Sequence, residues 1–324
     1  MSIKKLLFSF FLICFMAAAQ QQTENFSLDI EYLKYLPKDY QADGDKKWPL
    51  LVFLHGAGER GTDIEKIKVH GPPMLIEQGK DFPFIVVSPQ AKKYGWEPML
   101  LREMIRNLME TEAVDPDRVY LTGLSMGGYG TWRLAAENPG MFAAIVPICG
   151  GGNPEDVWKL RHMPTWVFHG AKDGIVPLSA SESMVKPLQK INDQVKFTVY
   201  PETYHDSWIQ AYNDPKLYEW LLQQKRFQFT PITVPANDLV SYEGDYRAED
   251  AALGEKVSFT VKDGQLQFSF NDRSMPLYPF EQDKFYLSPK AQLEFHFIKD
   301  ENGKVTQVDV YQDRIRSLKK LETE

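Results

Sequence analysis

The chain reads as short apolar runs that end in glycine, proline or a polar loop, separated by segments whose apolar residues recur three and four apart. Leu50 to Leu54 is apolar at every position, and Phe84 to Val87 and Val119 to Leu121 follow the same pattern. Uniform runs of this kind suit strands buried on both faces. "MFAAIVPICGGG", Thr165 to Phe168 and Val195 to Tyr200 predict further strands. Between them, Leu101, Met104, Ile105, Leu108 and Met109 fall at helical spacing and predict a helix over 98–112. Other helices are expected from Ser125 to about Asn138, where Pro139 stops the pattern, and around Lys216 to Lys225. Phe26 to Leu36 alternates apolar and polar residues, as an edge strand closed by Pro37 would. Strands alternating with helices predict an α/β fold, a mostly parallel sheet flanked by helices.

The pattern changes after the last helix. "FTPITVPAND" holds two prolines without periodicity and reads as a linker. Beyond it, Val257, Phe259 and Val261 alternate up to Asp263-Gly264, and Leu266, Phe268 and Phe270 alternate after it, which is a hairpin signature. The same logic repeats around Asn302-Gly303. Residues 20–230 are thus expected to form the α/β domain, and 231–324 a linker with a small antiparallel β domain, sheet or barrel.

At the N-terminus, Lys4 and Lys5 precede an apolar run from Leu6 to Met16 and then three alanines. This predicts a signal peptide over 1–19 cut after Ala19, and a periplasmic or secreted mature chain not anchored in the membrane. The run is shorter than the roughly 20 residues that a spanning helix needs. Removing the leader leaves Cys149 as the one cysteine, expected as a buried small hydrophobe with no internal disulfide. A net charge of −7 and a pI near 5.5 argue against nucleic acid as a partner. Clustered metal ligands, a Walker loop and a dinucleotide fingerprint are absent from the sequence, so neither metal nor cofactor is expected.

The candidate chemistry sits at the ends of the predicted strands. "VYLTGLSMGGYGTW" is an apolar strand, a turn with Ser125 between Gly123 and Gly127, and a helix, the layout of a nucleophile elbow. Asp173 follows the strand ending at Phe168, and His205 follows the strand ending at Tyr200. The order Ser125, Asp173, His205 is that of a triad in which histidine takes the serine proton and aspartate orients the imidazole. Of the other histidines, His55 and His169 read as loop-tying residues, His70 and His162 lack a preceding strand, and His296 lies in the β region. "HGAGERG" after the second strand is suited to point backbone N–H groups into an oxyanion hole, with Ala57 and Met126 as the expected donors. Trp96 and Trp208 are candidates for an aromatic platform for a sugar or aryl group, or for packing loops onto the body. Glu59, with Arg60, is a candidate substrate contact or a solvated ion pair.

The combination of "LHGAGERG", "GLSMGGYGTW", "HGAKDGIVP" and "YHDSW" resembles bacterial secreted α/β-hydrolases described as predicted peptidases, relatives of polyhydroxybutyrate-depolymerase-type, feruloyl and acetylxylan esterases and of dienelactone hydrolases. The resemblance runs from about Phe26 to Phe227. It implies the α/β-hydrolase fold, ester hydrolysis, and Ser125, Asp173 and His205 as the matching triad. A serine carboxylesterase acting on acyl esters, acetyl or feruloyl groups on polysaccharides among them, is the expectation. A prolyl-oligopeptidase-type serine peptidase and a non-catalytic glycan-binding protein are the alternatives. The C-terminal segment is similar to the small β domain appended to some bacterial β-lactamase-like serine hydrolases, and glycan binding, lid formation, partner docking or plain stabilisation are all open to it. The oligomeric state is not readable.

Overall fold

A computed structural model describes residues 29–248, 256–271, 273–288, 291–312 and 314–322. The expected signal peptide and the start of the alternating 26–36 stretch lie outside the described residues. Among the described residues, no helix is long and apolar enough to cross a membrane.

Strands β1 (Tyr32–Tyr35), β2 (Trp48–Leu54), β3 (Ile85–Pro89), β4 (Val114–Leu124), β5 (Ala144–Ile148), β6 (Thr165–Gly170) and β7 (Val195–Tyr200) form one sheet in the order β1-β3-β2-β4-β5-β6-β7. Only the edge strand β1 runs antiparallel to its neighbour. Every residue of β2, β3 and β5 is buried, because helices cover both faces. Alternate residues of β2 therefore enter different cores. Leu50, Val52 and Leu54 pack with Leu101 and Ile105 of helix α2 (Pro98–Thr111) and Trp132 of α3 (Met126–Glu137). Leu51 and Phe53 pack on the other face with Leu75 of α1 (Gly71–Glu77) and with Tyr212, Leu217 and Leu221. Since β4, β6 and β7 are parallel, the loops that carry Ser125, Asp173 and His205 rise from one edge of the sheet.

The second domain is antiparallel throughout. Its strands are β8 (Gly244–Ala248), β9 (Lys256–Lys262), β10 (Gln265–Phe270), β11 (Arg273–Pro276), β12 (Tyr278–Glu281), β13 (Lys284–Ser288), β14 (Ala291–Lys299), β15 (Val305–Tyr311) and β16 (Ile315–Lys320). They pair in the order β11-β10-β9-β8-β16-β15-β14-β13-β12 and curl around Tyr242, Tyr246, Phe259, Phe285, Phe295 and Phe297. Asp263 and Gly264 both have positive φ, 52° and 76°, so the two-residue turn between β9 and β10 twists with its strands.

At the junction of the two domains Phe227 stacks on His162 with centroids 4.0 Å apart, and Phe229, where the linker segment starts, stacks on Tyr286 at 4.4 Å. Residues 230–235 have no regular secondary structure and are mostly exposed. Beside the stack of Phe227 on His162, Glu294 of β14 is fully buried and accepts from Arg161 Nε at 3.1 Å, from His162 Nε2 at 3.0 Å and from His296 Nε2 at 3.0 Å. Arg161 and His162 precede β6, so the β domain seats on the edge where the parallel strands begin. The loops that carry Ser125, Asp173 and His205 open at the edge where the parallel strands end. A lid, one of the roles left open by the sequence, does not fit this placement.

Candidate active site

The turn after β4 is set by sterics. A Cβ on Gly123 would lie 2.4 Å from the Gly127 carbonyl oxygen, and one on Gly127 would lie 1.9 Å from that of Leu54. Only glycine lets the α3 backbone cross β2 and β4 so closely. The tight crossing leaves Ser125 at φ 53°, ψ −116°, a strained conformation for a non-glycine residue. Its Oγ donates to His205 Nε2 at 2.9 Å. His205 Nδ1–H donates in turn to Asp173 Oδ2 at 2.7 Å.

Asp173 is 8% exposed and fixed through its other oxygen, which accepts the backbone N–H groups of Ile175 and Val176 at 2.9 Å each. Burial alone would raise its pKa; the His205 hydrogen bond and the two backbone donors outweigh it and hold the carboxyl below its ordinary value. His169 lies behind it, Nε2 3.3 Å from Oδ2, anchored by Ser181 Oγ at 2.7 Å and the Val176 carbonyl at 2.9 Å. Burial lowers the His169 pKa, so the ring supports the aspartate as a neutral group.

Met126 opens α3, where the first N–H groups of a helix have no partner within it. Ala57 opens the short 3-10 helix Ala57–Glu59 in the glycine loop. That loop is tied down by His55, whose Nδ1–H donates to the Gly56 carbonyl at 2.6 Å while Nε2 accepts from Ala91 N–H at 3.0 Å. Burial pushes the His55 pKa down to about 4, keeping it neutral. Met126 Sδ accepts the Gly95 N–H at 3.2 Å and so fastens the 92–97 loop to the Ser125 turn.

The structure separates the alternatives left for Trp96 and Glu59. Trp96 is only 4% exposed, stands edge-on to His55 at 4.8 Å and lies against Gly130; it packs the loop onto the body and offers no platform. Glu59 is neither solvated nor paired with Arg60. It is 8% exposed, whereas Arg60 Nε donates to the Ala57 carbonyl at 2.5 Å and its guanidinium lies over Tyr94. Trp208 is half-buried, edge-on to His205 with centroids 5.1 Å apart and 5.3 Å from the ring of His70.

Two residues that the sequence left aside also join the site. His70 closes the wall beyond Trp208. Cys149, at φ 47° after β5, donates Sγ–H to the His205 carbonyl at 3.1 Å and lies 2.6 Å from Ser207 Oγ. Cys149, Asp173 and His205 make the one group with metal-ligand spacing among the described residues. The Cys149 thiol in that group is already engaged with the His205 carbonyl and Ser207 Oγ, and burial pushes its pKa up to about 12. Around the opening, Tyr94, Ile175 and Tyr204 are 75%, 74% and 64% exposed, an apolar rim next to the triad loops.

Residues 92–216 match the model of the dienelactone hydrolase family, and residues 229–323 match DUF3471, a domain of unknown function. Poly(3-hydroxyalkanoate) depolymerase C of Paucimonas lemoignei is 30% identical over 154 residues, which cover 41% of this chain and 35% of that protein. A bifunctional acetylxylan esterase/xylanase of Neocallimastix patriciarum is 26% identical over 151 residues, 43% of this chain and 21% of that protein. The crystal structure of a thermostable esterase, 35% identical, matches with a TM-score of 0.53 over 61% of this chain and 60% of its own. The chain thus spans less than two thirds of each of these three.

Proposed function

We propose that the α/β-hydrolase domain, whose residues 92–216 match the dienelactone hydrolase family model, is that of an exported serine ester hydrolase working through an acyl-enzyme, with acetyl and feruloyl esters of polysaccharides as its first substrate class. The reading rests on the unbroken contact from Asp173 through His205 to Ser125, 2.7 Å and then 2.9 Å. Ser125 Oγ attacks the acyl carbon while its proton passes to His205 Nε2, and the carbonyl electron pair moves onto oxygen. The N–H groups of Met126 and Ala57 would hold that oxyanion, each such donor lowering the barrier by about 3 kcal/mol. As the tetrahedral species collapses, the alcohol leaves with the proton from His205. Water repeats the cycle, giving up a proton to His205 and releasing the acid and free Ser125.

Export is supported by the Lys4, Lys5 and Leu6 to Met16 pattern, and polymer substrates by the apolar rim and by relatives named for polymer and ester cleavage. The test is a panel of 4-nitrophenyl acetate, acetylated xylan, methyl ferulate and a proline-site peptide anilide, run with wild type and Ser125→Ala. Ester turnover that disappears in the variant is expected. Peptide cleavage with negligible ester turnover would overturn the reading in favour of a serine peptidase.

A further inference from the structure

Glu59 stands two residues past Ala57, nine-tenths buried, and its Oε2 has no hydrogen-bond partner. A buried carboxylate with an unused oxygen is held against a standing penalty, and such groups concentrate where a ligand completes them. Its neighbours are already committed. Arg60 is turned to the Ala57 carbonyl and to Tyr94. His55 spends both ring nitrogens on backbone, leaving Nδ1 3.9 Å from Glu59 Oε2. The remaining group is His70, with Nε2 4.0 Å from Glu59 Oε1 and a side chain 34% exposed. The His70 ring lies against Trp208, and Trp208 stands edge-on to His205. Glu59, His70 and Trp208 therefore form a continuous wall of side chains from the oxyanion loop to the catalytic histidine.

Chemistry fixes which part of an ester meets that wall. The departing alcohol oxygen must lie at His205 Nε2, so the carbon frame attached to it runs alongside the rings that flank His205. An ionised carboxylate only accepts hydrogen bonds, and it repels anions. The geometry points to Glu59 and His70 as the subsite for the alcohol portion of the substrate, accepting alcohols that carry a further hydroxyl and rejecting alcohols that carry a carboxylate. This assignment rests on the serine esterase reading above.

The experiment compares kcat/KM for three acetate esters, glycerol monoacetate, propyl acetate and 3-acetoxypropanoate, on wild type, Glu59→Gln and His70→Phe. Wild type is expected to prefer glycerol monoacetate over propyl acetate by roughly tenfold, the scale of one hydrogen bond to a charged group, and to turn over 3-acetoxypropanoate slowest. Glu59→Gln should raise 3-acetoxypropanoate relative to propyl acetate, and both variants should shrink the hydroxyl preference, chiefly through KM. Three outcomes overturn the subsite: no preference in wild type, a preference that both variants retain, or equal losses on all three esters, which is what a merely structural role gives. Failure of wild type to hydrolyse any ester, with Ser125→Ala identical to it, overturns the esterase reading instead. Where a variant folds poorly, the absence of a hydroxyl preference in wild type still overturns the subsite.

Discussion

Arg161 of the α/β domain donates through Nε to Glu294 of the β domain across 3.1 Å, and neither side chain is more than 8% exposed. A buried ion pair adds little over an apolar contact of the same shape, but losing one partner strands the other without water. Glu294→Gln should therefore weaken the seating of the β domain by about 3–5 kcal/mol. Denaturant unfolding followed by near-ultraviolet signals from both domains would show it. An unchanged midpoint would count against the cluster as the anchor.

The same cluster sets a pH dependence. Burial works to raise the Glu294 pKa, but hydrogen bonds from His162 and His296 and the Arg161 charge hold it far below the carboxylate range. Burial lowers the His296 pKa, with Glu294 pulling the other way. The two signs agree. A carboxyl with a lowered folded pKa contributes stability present above its ordinary value and lost on acidification. A histidine with a lowered folded pKa resists the charge it takes on in the unfolded chain, which also favours unfolding as pH falls. Stability of the joined domains should decline from about pH 6.5 downward, and more weakly in Glu294→Gln. Melting temperatures measured between pH 8 and 4 that stay flat would contradict this.

At the nucleophile turn, Gly127→Ala places a methyl group 1.9 Å from the Leu54 carbonyl oxygen. No side-chain shift relieves a clash with backbone, so β2 or α3 must move. The variant should lose several kcal/mol of stability and nearly all turnover. A well-folded, active Gly127→Ala protein would refute the close crossing.

Asp173→Asn keeps the side-chain shape and one backbone-facing acceptor, yet removes the charge that holds the His205 Nδ1–H. Turnover should fall by about 10⁴-fold with melting behaviour almost preserved. A loss below tenfold would mean that another group orients His205.

Cys149 is fully buried, and its thiol is pushed up to about 12 by burial. It should resist alkylation in the folded protein at pH 8 and react once the chain is unfolded, as peptide mapping would report. Cys149→Ala frees the His205 carbonyl and Ser207 Oγ from their shared contact, and should lower kcat by up to about 10²-fold through misplacement of the histidine.

The parts of this molecule that were legible in its sequence are those where burial leaves no choice of residue. β2 reads as a strand because both of its faces are covered, and the Ser125 turn reads as one because only glycine fits at 123 and 127. Asp173 and His205 could be placed by counting from the ends of strands. Residues whose neighbours come from distant loops were not readable in this way. Glu59 sits in a 3-10 turn of three residues and Trp96 in an irregular loop, both too short to show a period that would reveal burial. In "LEFHFIK", Leu293, Phe295 and Phe297 mark the inward face of β14, and by the same alternation Glu294 and His296 belong to the outer face. That face is buried because the other domain covers it, a fact that no local pattern carries.

The seating of the β domain separates two surfaces of one polypeptide. Because it occupies the edge where β6 begins and leaves free the edge where β4, β6 and β7 end, substitutions on its outer strands leave the residues around Ser125, Asp173 and His205 untouched. The two surfaces are then free to evolve at different rates.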